Sequence, residues 1–98
     1  MATLHLLSRS PFADTSAASC LRLLGAGDGL LLTGDAVYAL QPDSAPCARL
    51  RELADRPLFA LAEDLQARGL QAPEFVSAVD YAGFVELTLR FERVNSWL

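Results

Sequence analysis

Four short apolar runs most constrain what this chain can become: "TLHLL" (3–7), "LLLT" (30–33), "LFALA" (58–62) and "FVSAV" (75–79). None alternates cleanly between apolar and polar positions, and helix-like stretches separate them. Such runs suit strands covered on both faces. The order therefore predicts an α/β fold with a mostly parallel sheet of about four strands flanked by helices. A chain of 98 residues is expected to form one domain, 1–98. It has room for one modest core, with roughly 60–70% of the unfolded surface buried.

The stretches between the runs carry helix signals. The first helix is expected over about Thr15 to Leu24, with Asp14 as cap and Gly25 as stop. Ala17, Cys20, Leu21 and Leu24 then share one apolar face. A second helix is expected to begin near Asp35 in "GDAVYAL". "SAPCARLREL" (44–53) reads as a helical piece with Pro46 near its start. "EDLQARG" (63–69) places acidic residues first, Arg68 in the last turn and Gly69 as stop, in accord with the helix dipole.

The tail points two ways. "VELTLRFE" (85–92) alternates as a strand would, but Asp80 can cap a helix and the βα alternation calls for one there. A helix is expected. Its apolar residues would lie on more than one side, so it would need a partner surface besides its own sheet.

Composition excludes several functions. Apolar residues make up 52% of the chain and the mean hydropathy is +0.26. No apolar run reaches the length of a membrane span, so the surplus is expected to cover subunit interfaces. The start, "MATLHLLSRSPF", lacks the order of a secretory signal, and two cysteines in no Cys-x-x-Cys pair suit a reducing compartment. A cytoplasmic protein is expected. The net charge is −4 and all eight basic residues are arginines in no basic run, which argues against direct nucleic-acid binding. Without lysine there is neither a phosphate-loop lysine nor a Schiff base. His5 is the only histidine and falls inside a strand, so metal clusters and histidine-based triads are not expected. "GAGDG" (25–29) precedes a strand and reads as a turn, since a phosphate loop must follow one. No metal and no cofactor is expected.

In a parallel sheet, partners meet the loops at the carboxyl ends of the strands. Those loops hold Ser8-Arg9-Ser10, Thr33-Gly34-Asp35, Glu63-Asp64 and Asp80-Tyr81. This mostly acidic edge could receive a basic protein segment, or its carboxylates could simply cap helices; capping is the plainer reading. Of the two cysteines, Cys47 has the better local setting for a thiolate, following Pro46 near a helix start with Arg49 and Arg51 nearby. Cys20 lies mid-helix on the apolar face, where burial keeps it neutral.

Five blocks in succession, "LHLLSRSPF", "SCLRLL", "GDGLLLTGDAVYAL", "LFALAEDLQARGL" and "VDYAGFVELT…SWL", resemble the TusB/DsrH family over nearly the whole chain. The resemblance implies a small three-layer α/β domain of the DsrE/F/H type. It implies TusC-like and TusD-like sister subunits in a dimer of heterotrimers, and a TusE- or DsrC-like sulfur carrier downstream. The function implied is support of persulfide transfer for 2-thiolation of the tRNA wobble uridine, or, in a DsrEFH-type complex, a role in sulfur oxidation. The principal acceptor cysteine belongs to the TusD or DsrE subunit. Cys20 matches the "SC" cysteine of DsrH-like members, which moves it ahead of Cys47 as an auxiliary persulfide site.

The expectation is therefore a mainly structural subunit with little activity alone. Tyr38, Phe84, Phe91 and Trp97 are expected at subunit interfaces, together with the Trp97-Leu98 end. Two rivals are an independent persulfide sulfurtransferase using Cys20 or Cys47, and a homo-oligomeric ligand-binding module using the strand-end loops.

Overall fold

All four apolar runs are strands in the computed structural model, which describes residues 2–97. They are β1 (Thr3–Leu7), β2 (Gly29–Leu32), β3 (Leu58–Leu61) and β4 (Ser77–Val79). A further strand, β5 (Arg93–Trp97), completes a five-stranded sheet in the order β4-β3-β2-β1-β5. Every pairing is parallel. The expected count of about four strands is thus corrected to five, while the helix expected across "VELTLRFE" is present as a helix over Tyr81–Arg90. Leu98 lies outside the described residues.

The helices are α1 (Ser16–Leu23), α2 (Ala45–Arg51), α3 (Ala62–Ala67) and α4 (Tyr81–Arg90), with a 3₁₀ helix over Gly34–Leu40. Their ends follow local chemistry. The Asp14 carboxylate accepts from the Ser16 N–H at 2.7 Å, ahead of α1. The Ser44 hydroxyl accepts from the Cys47 N–H and caps α2, with Pro46 in the first turn. Gly69 adopts φ +66° after α3, where the Leu70 N–H reaches the Leu65 carbonyl and the Gly69 N–H reaches that of Gln66. That pair of bonds is the Schellman closure, and the left-handed residue it needs is glycine. Asp80 caps α4 by accepting from the Gly83 N–H at 2.8 Å.

Handedness distributes the layers. From β1 to β4 each new strand is added on the same side, so right-handed crossovers put α1, the 3₁₀ helix, α2 and α3 on one face. The step from β4 back to β5 runs the other way, and its helix, α4, falls on the opposite face. The cores agree with this division. Leu7, Leu30, Leu32, Leu58 and Ala60 point to the first face and pack with Cys20, Val37, Leu40, Leu50 and Leu65. Leu4 and Leu31 point to the second and pack with Leu87 of α4, backed by Phe84 and Phe91.

Gly29 is where the second face closes. A Cβ there would lie 2.6 Å from Cζ of Phe91 and 3.2 Å from Cδ1 of Leu4. The absent side chain lets Phe91, at the C-terminal cap of α4, rest on β2. Gly29→Ala should therefore destabilise the fold by about 1–3 kcal/mol through overpacking. Denaturant unfolding should show that cost largely removed in a Phe91→Ala background, although Phe91→Ala is itself destabilising.

Candidate functional site

The acidic carboxyl-end edge is largely satisfied from within. Nε and Nη2 of Arg68 donate to Oδ1 of Asp35, at 3.2 and 2.9 Å, and Nη1 donates to the Asp64 carbonyl. Oδ2 of Asp64 accepts from the Gly34 N–H at 2.7 Å. The Arg68 guanidinium also lies 5.7 Å from the centre of the Tyr38 ring. One arginine thus ties α3 to the 3₁₀ helix, and Asp80 is occupied as a cap. These carboxylates hold the fold's own elements together.

Both cysteines are free thiols and both are buried. Cys20 is 0% exposed and packs in the larger core with Leu7, Leu30 and Val37. Burial pushes its thiol up from 9.0 to about 12, and the negative Asp28 carboxylate nearby adds to the rise. Virtually none of it is thiolate near neutral pH, and a thiol in that state is a poor nucleophile. Cys47 is buried in the first turn of α2, where its own N–H is held by Ser44.

A polar chain runs through the sheet end beside Cys20. Asp28, in the turn before β2, accepts from the Thr3 N–H at 2.9 Å and the Gly25 N–H at 2.9 Å. Its Oδ2 lies 3.3 Å from Nε2 of His5, and Nδ1 of His5 lies 3.1 Å from Nε1 of Trp97. Indole N–H is a donor only, so Nδ1 accepts and Nε2 carries the proton given to Asp28. Burial works to raise the Asp28 carboxyl, but the Thr3 and Gly25 N–H groups and the His5 side chain outweigh it and hold it low. The link from Asp28 through His5 to Trp97 crosses 92 positions between its last two members and fastens β5 to β1.

The aromatic residues expected at interfaces are half-buried. Trp97 packs against the larger core, Phe84 and Phe91 pack against the smaller one, and Tyr38 is partly covered beneath Arg68. The fully outward apolar residues are different ones. On α4, Phe84, Leu87 and Phe91 face the sheet, whereas Tyr81, Val85 and Leu89 form an i, i+4, i+8 stripe on the other side. Their exposures are 54%, 54% and 80%. Val94 on β5 is exposed on the same sheet face, and Leu23 at the end of α1 is also exposed. The helical period of 81, 85 and 89 is the signal that could have singled them out.

The family described as "DsrH like protein" matches residues 9–94 of the chain. The chain belongs to the DsrH family. Curated relatives carry the name Protein TusB. The one from Erwinia tasmaniensis is 43% identical over 97 residues, covering 96% of this chain and 99% of its own. The one from Escherichia coli O139:H28 is 42% identical over 96 residues, with the same coverage. Among solved structures, the YchN protein of E. coli superposes with a TM-score of 0.81 at 19% identity, covering 98% of this chain and 99% of its own. Protein MTH1491 of Methanobacterium thermoautotrophicum superposes at 0.71 and 18% identity, covering 96% of each. These two likenesses establish a shared fold. Among the described residues of this DsrH family member, no helix is long and apolar enough to cross a membrane.

The position of Cys20 has a direct chemical consequence. In the folded protein near neutral pH, iodoacetamide should leave Cys20 unmodified for hours while labelling it within minutes after unfolding. Peptide mass mapping reads the difference. Because the thiol is raised in the fold, its contribution to stability is complete below the ordinary value of 9.0 and is lost as pH rises toward about 12. Rapid native labelling at neutral pH would show that α1 opens readily.

Proposed function

We propose that this DsrH family protein is a mainly structural subunit of a cytoplasmic sulfur-relay complex. Its neighbours are TusC-like and TusD-like chains in a dimer of heterotrimers, a heterohexamer. The complex passes persulfide sulfur through a TusE-like carrier toward 2-thiolation of the tRNA wobble uridine, and the sulfur-accepting cysteine sits on a sister subunit. The observation that carries this reading is the α4 surface: a family member leaves Tyr81, Val85 and Leu89 in water on a helix whose opposite side already packs on the sheet. Aligned apolar side chains on a soluble α/β unit mark a partner surface. Phe84 and Phe91 support that surface from beneath. The relatives named Protein TusB, at 42% to 43% identity over almost the full chain, favour the tRNA branch over sulfur oxidation.

Cys20 enters as a packing residue. A persulfide there would need α1 to lift and a thiolate to form at a site where burial opposes both. The burial of Cys20 equally disfavours an independent sulfurtransferase built on it.

The test is complementation in a cell that lacks this chain and its 2-thiouridine. Cys20→Ser should restore thiolation to near the wild-type level. Val85→Asp with Leu89→Asp, both at exposed positions, should leave the monomer folded yet abolish co-purification with the sister subunits and thiolation together. Loss of thiolation by Cys20→Ser within an assembled complex would make this chain a sulfur carrier. Normal assembly and thiolation by the double variant would remove α4 from the interface.

A further inference from the structure

A groove of about 610 Å³ opens on the helical face opposite α4, between α1 and α2. Ala17, Ala18 and Leu21 of α1 and Pro46 of α2 contribute its apolar lining. Arg22, in the last turn of α1, and Arg49, in the last turn of α2, line it from the two helices. Among the described residues, neither arginine has a carboxylate within ion-pairing distance. Arg9, Arg56 and Arg68 all have one. The carboxylate lining the groove, Asp14, is already engaged by Nη1 of Arg9 at 3.0 Å and by the Ser16 N–H. The groove is therefore locally positive on a chain whose net charge is −4.

We infer that this groove binds an extended acidic peptide segment of a partner protein, its apolar side chains on the alanine, leucine and proline lining and its carboxylates on Arg22 and Arg49. The dimensions suit that occupant. An eight-residue helix such as α1 is about 12 Å long, which matches three or four residues of extended chain at roughly 3.3 Å each. The volume falls within the usual range for ligand sites, roughly 300–1,000 Å³. A lone inorganic anion would leave most of the apolar lining in water. Single-stranded nucleic acid would want aromatic platforms for its bases, and among the described residues no aromatic side chain lines the groove. Thr15 and Ser19 supply hydroxyls that can meet the peptide main chain. The two arginines set the sign of the partner's charge, and the apolar lining sets the need for alternating side chains.

The test titrates the ¹⁵N-labelled full chain with a short, end-capped peptide alternating leucine and glutamate, followed by amide chemical shifts. Saturable shifts are expected in α1 and α2, centred on Ala18, Arg22 and Arg49, weakening as salt is raised. The matching leucine–glutamine peptide should produce none. Arg22→Gln with Arg49→Gln should weaken binding by about ten-fold or more. Both side chains are exposed, so the variant should keep a dispersed spectrum and remain interpretable. The inference is overturned if the glutamate peptide gives no saturable shifts in these helices, if the glutamine peptide binds equally, or if the double variant binds as well as wild type. It is also overturned if oligouridylate of similar length, and not the peptide, saturates the groove.

Discussion

A single helix has one face of a five-stranded sheet to cover. Strands about 4.8 Å apart put roughly 19 Å between the outer strands, whereas a helix with its side chains is about 10 Å across. The opposite face has three α-helices and a 3₁₀ helix for the same width and builds the larger core. On the α4 side, Leu6, Phe59 and Val79 remain only partly buried, and Val94 is exposed. The asymmetry follows from connectivity. Right-handed crossovers place every helix of the outward walk on one side, and only the return to β5 supplies the other. This geometry fits the assembling subunit proposed above, in which another chain would complete the neglected face and the outer stripe of α4.

That arrangement depends on the last strand staying in place. β5 is an edge strand with β1 as its single neighbour. Its residues before Trp97 are exposed, so burial along the strand contributes little. Besides its parallel pairing with β1, it is held by the indole N–H of Trp97 on Nδ1 of His5, with His5 in turn held by Asp28. Asp28 also takes the N–H groups of Thr3 and Gly25, so a single carboxylate joins the first strand, the turn before the second and, through histidine, the fifth. At the other end Phe91 is seated on Gly29. With β5 held at Trp97, its entry held at Phe91 and Leu87 packed on Leu4 and Leu31, Tyr81, Val85 and Leu89 are presented on a supported helix. That lowers the conformational entropy a partner must overcome.

Much of this architecture was legible in the residues, and the parts that were not share a cause. β2 announces itself because a strand buried on both faces needs continuous apolar side chains, and "LLLT" supplies them; β1 and β3 are nearly as covered, whereas the edge strand β4 is largely exposed. Gly69 and Ser44 carry their roles in their chemistry. "RVNSW" does not read as a strand, because an exposed edge strand needs no apolar run and its anchor, His5, is 92 positions away. The alternation in "VELTLRFE" suggests a strand, yet Asp80 caps a helix there and the crossover requires one. The apolar surplus was readable in the sequence; in the fold the rings of Phe84, Phe91 and Trp97 are half-buried against the protein's own cores, and the helical period of α4 leaves Val85 and Leu89 exposed beside Tyr81. The position of Cys20 on the inner face of α1 was readable from helical spacing. The effect of Asp28 on its thiol depends on the folded turn.

The two faces of the molecule thus divide the work: the helix-rich face holds the buried thiols and the groove between α1 and α2, and the sparse face invites assembly. Native mass spectrometry of the tagged protein, recovered from its own cell at natural abundance, tests that division most directly. One discrete heteromeric mass is expected, containing this chain in fixed stoichiometry with other small chains. A monomer that persists at high concentration, with no sister chain recovered, would contradict it.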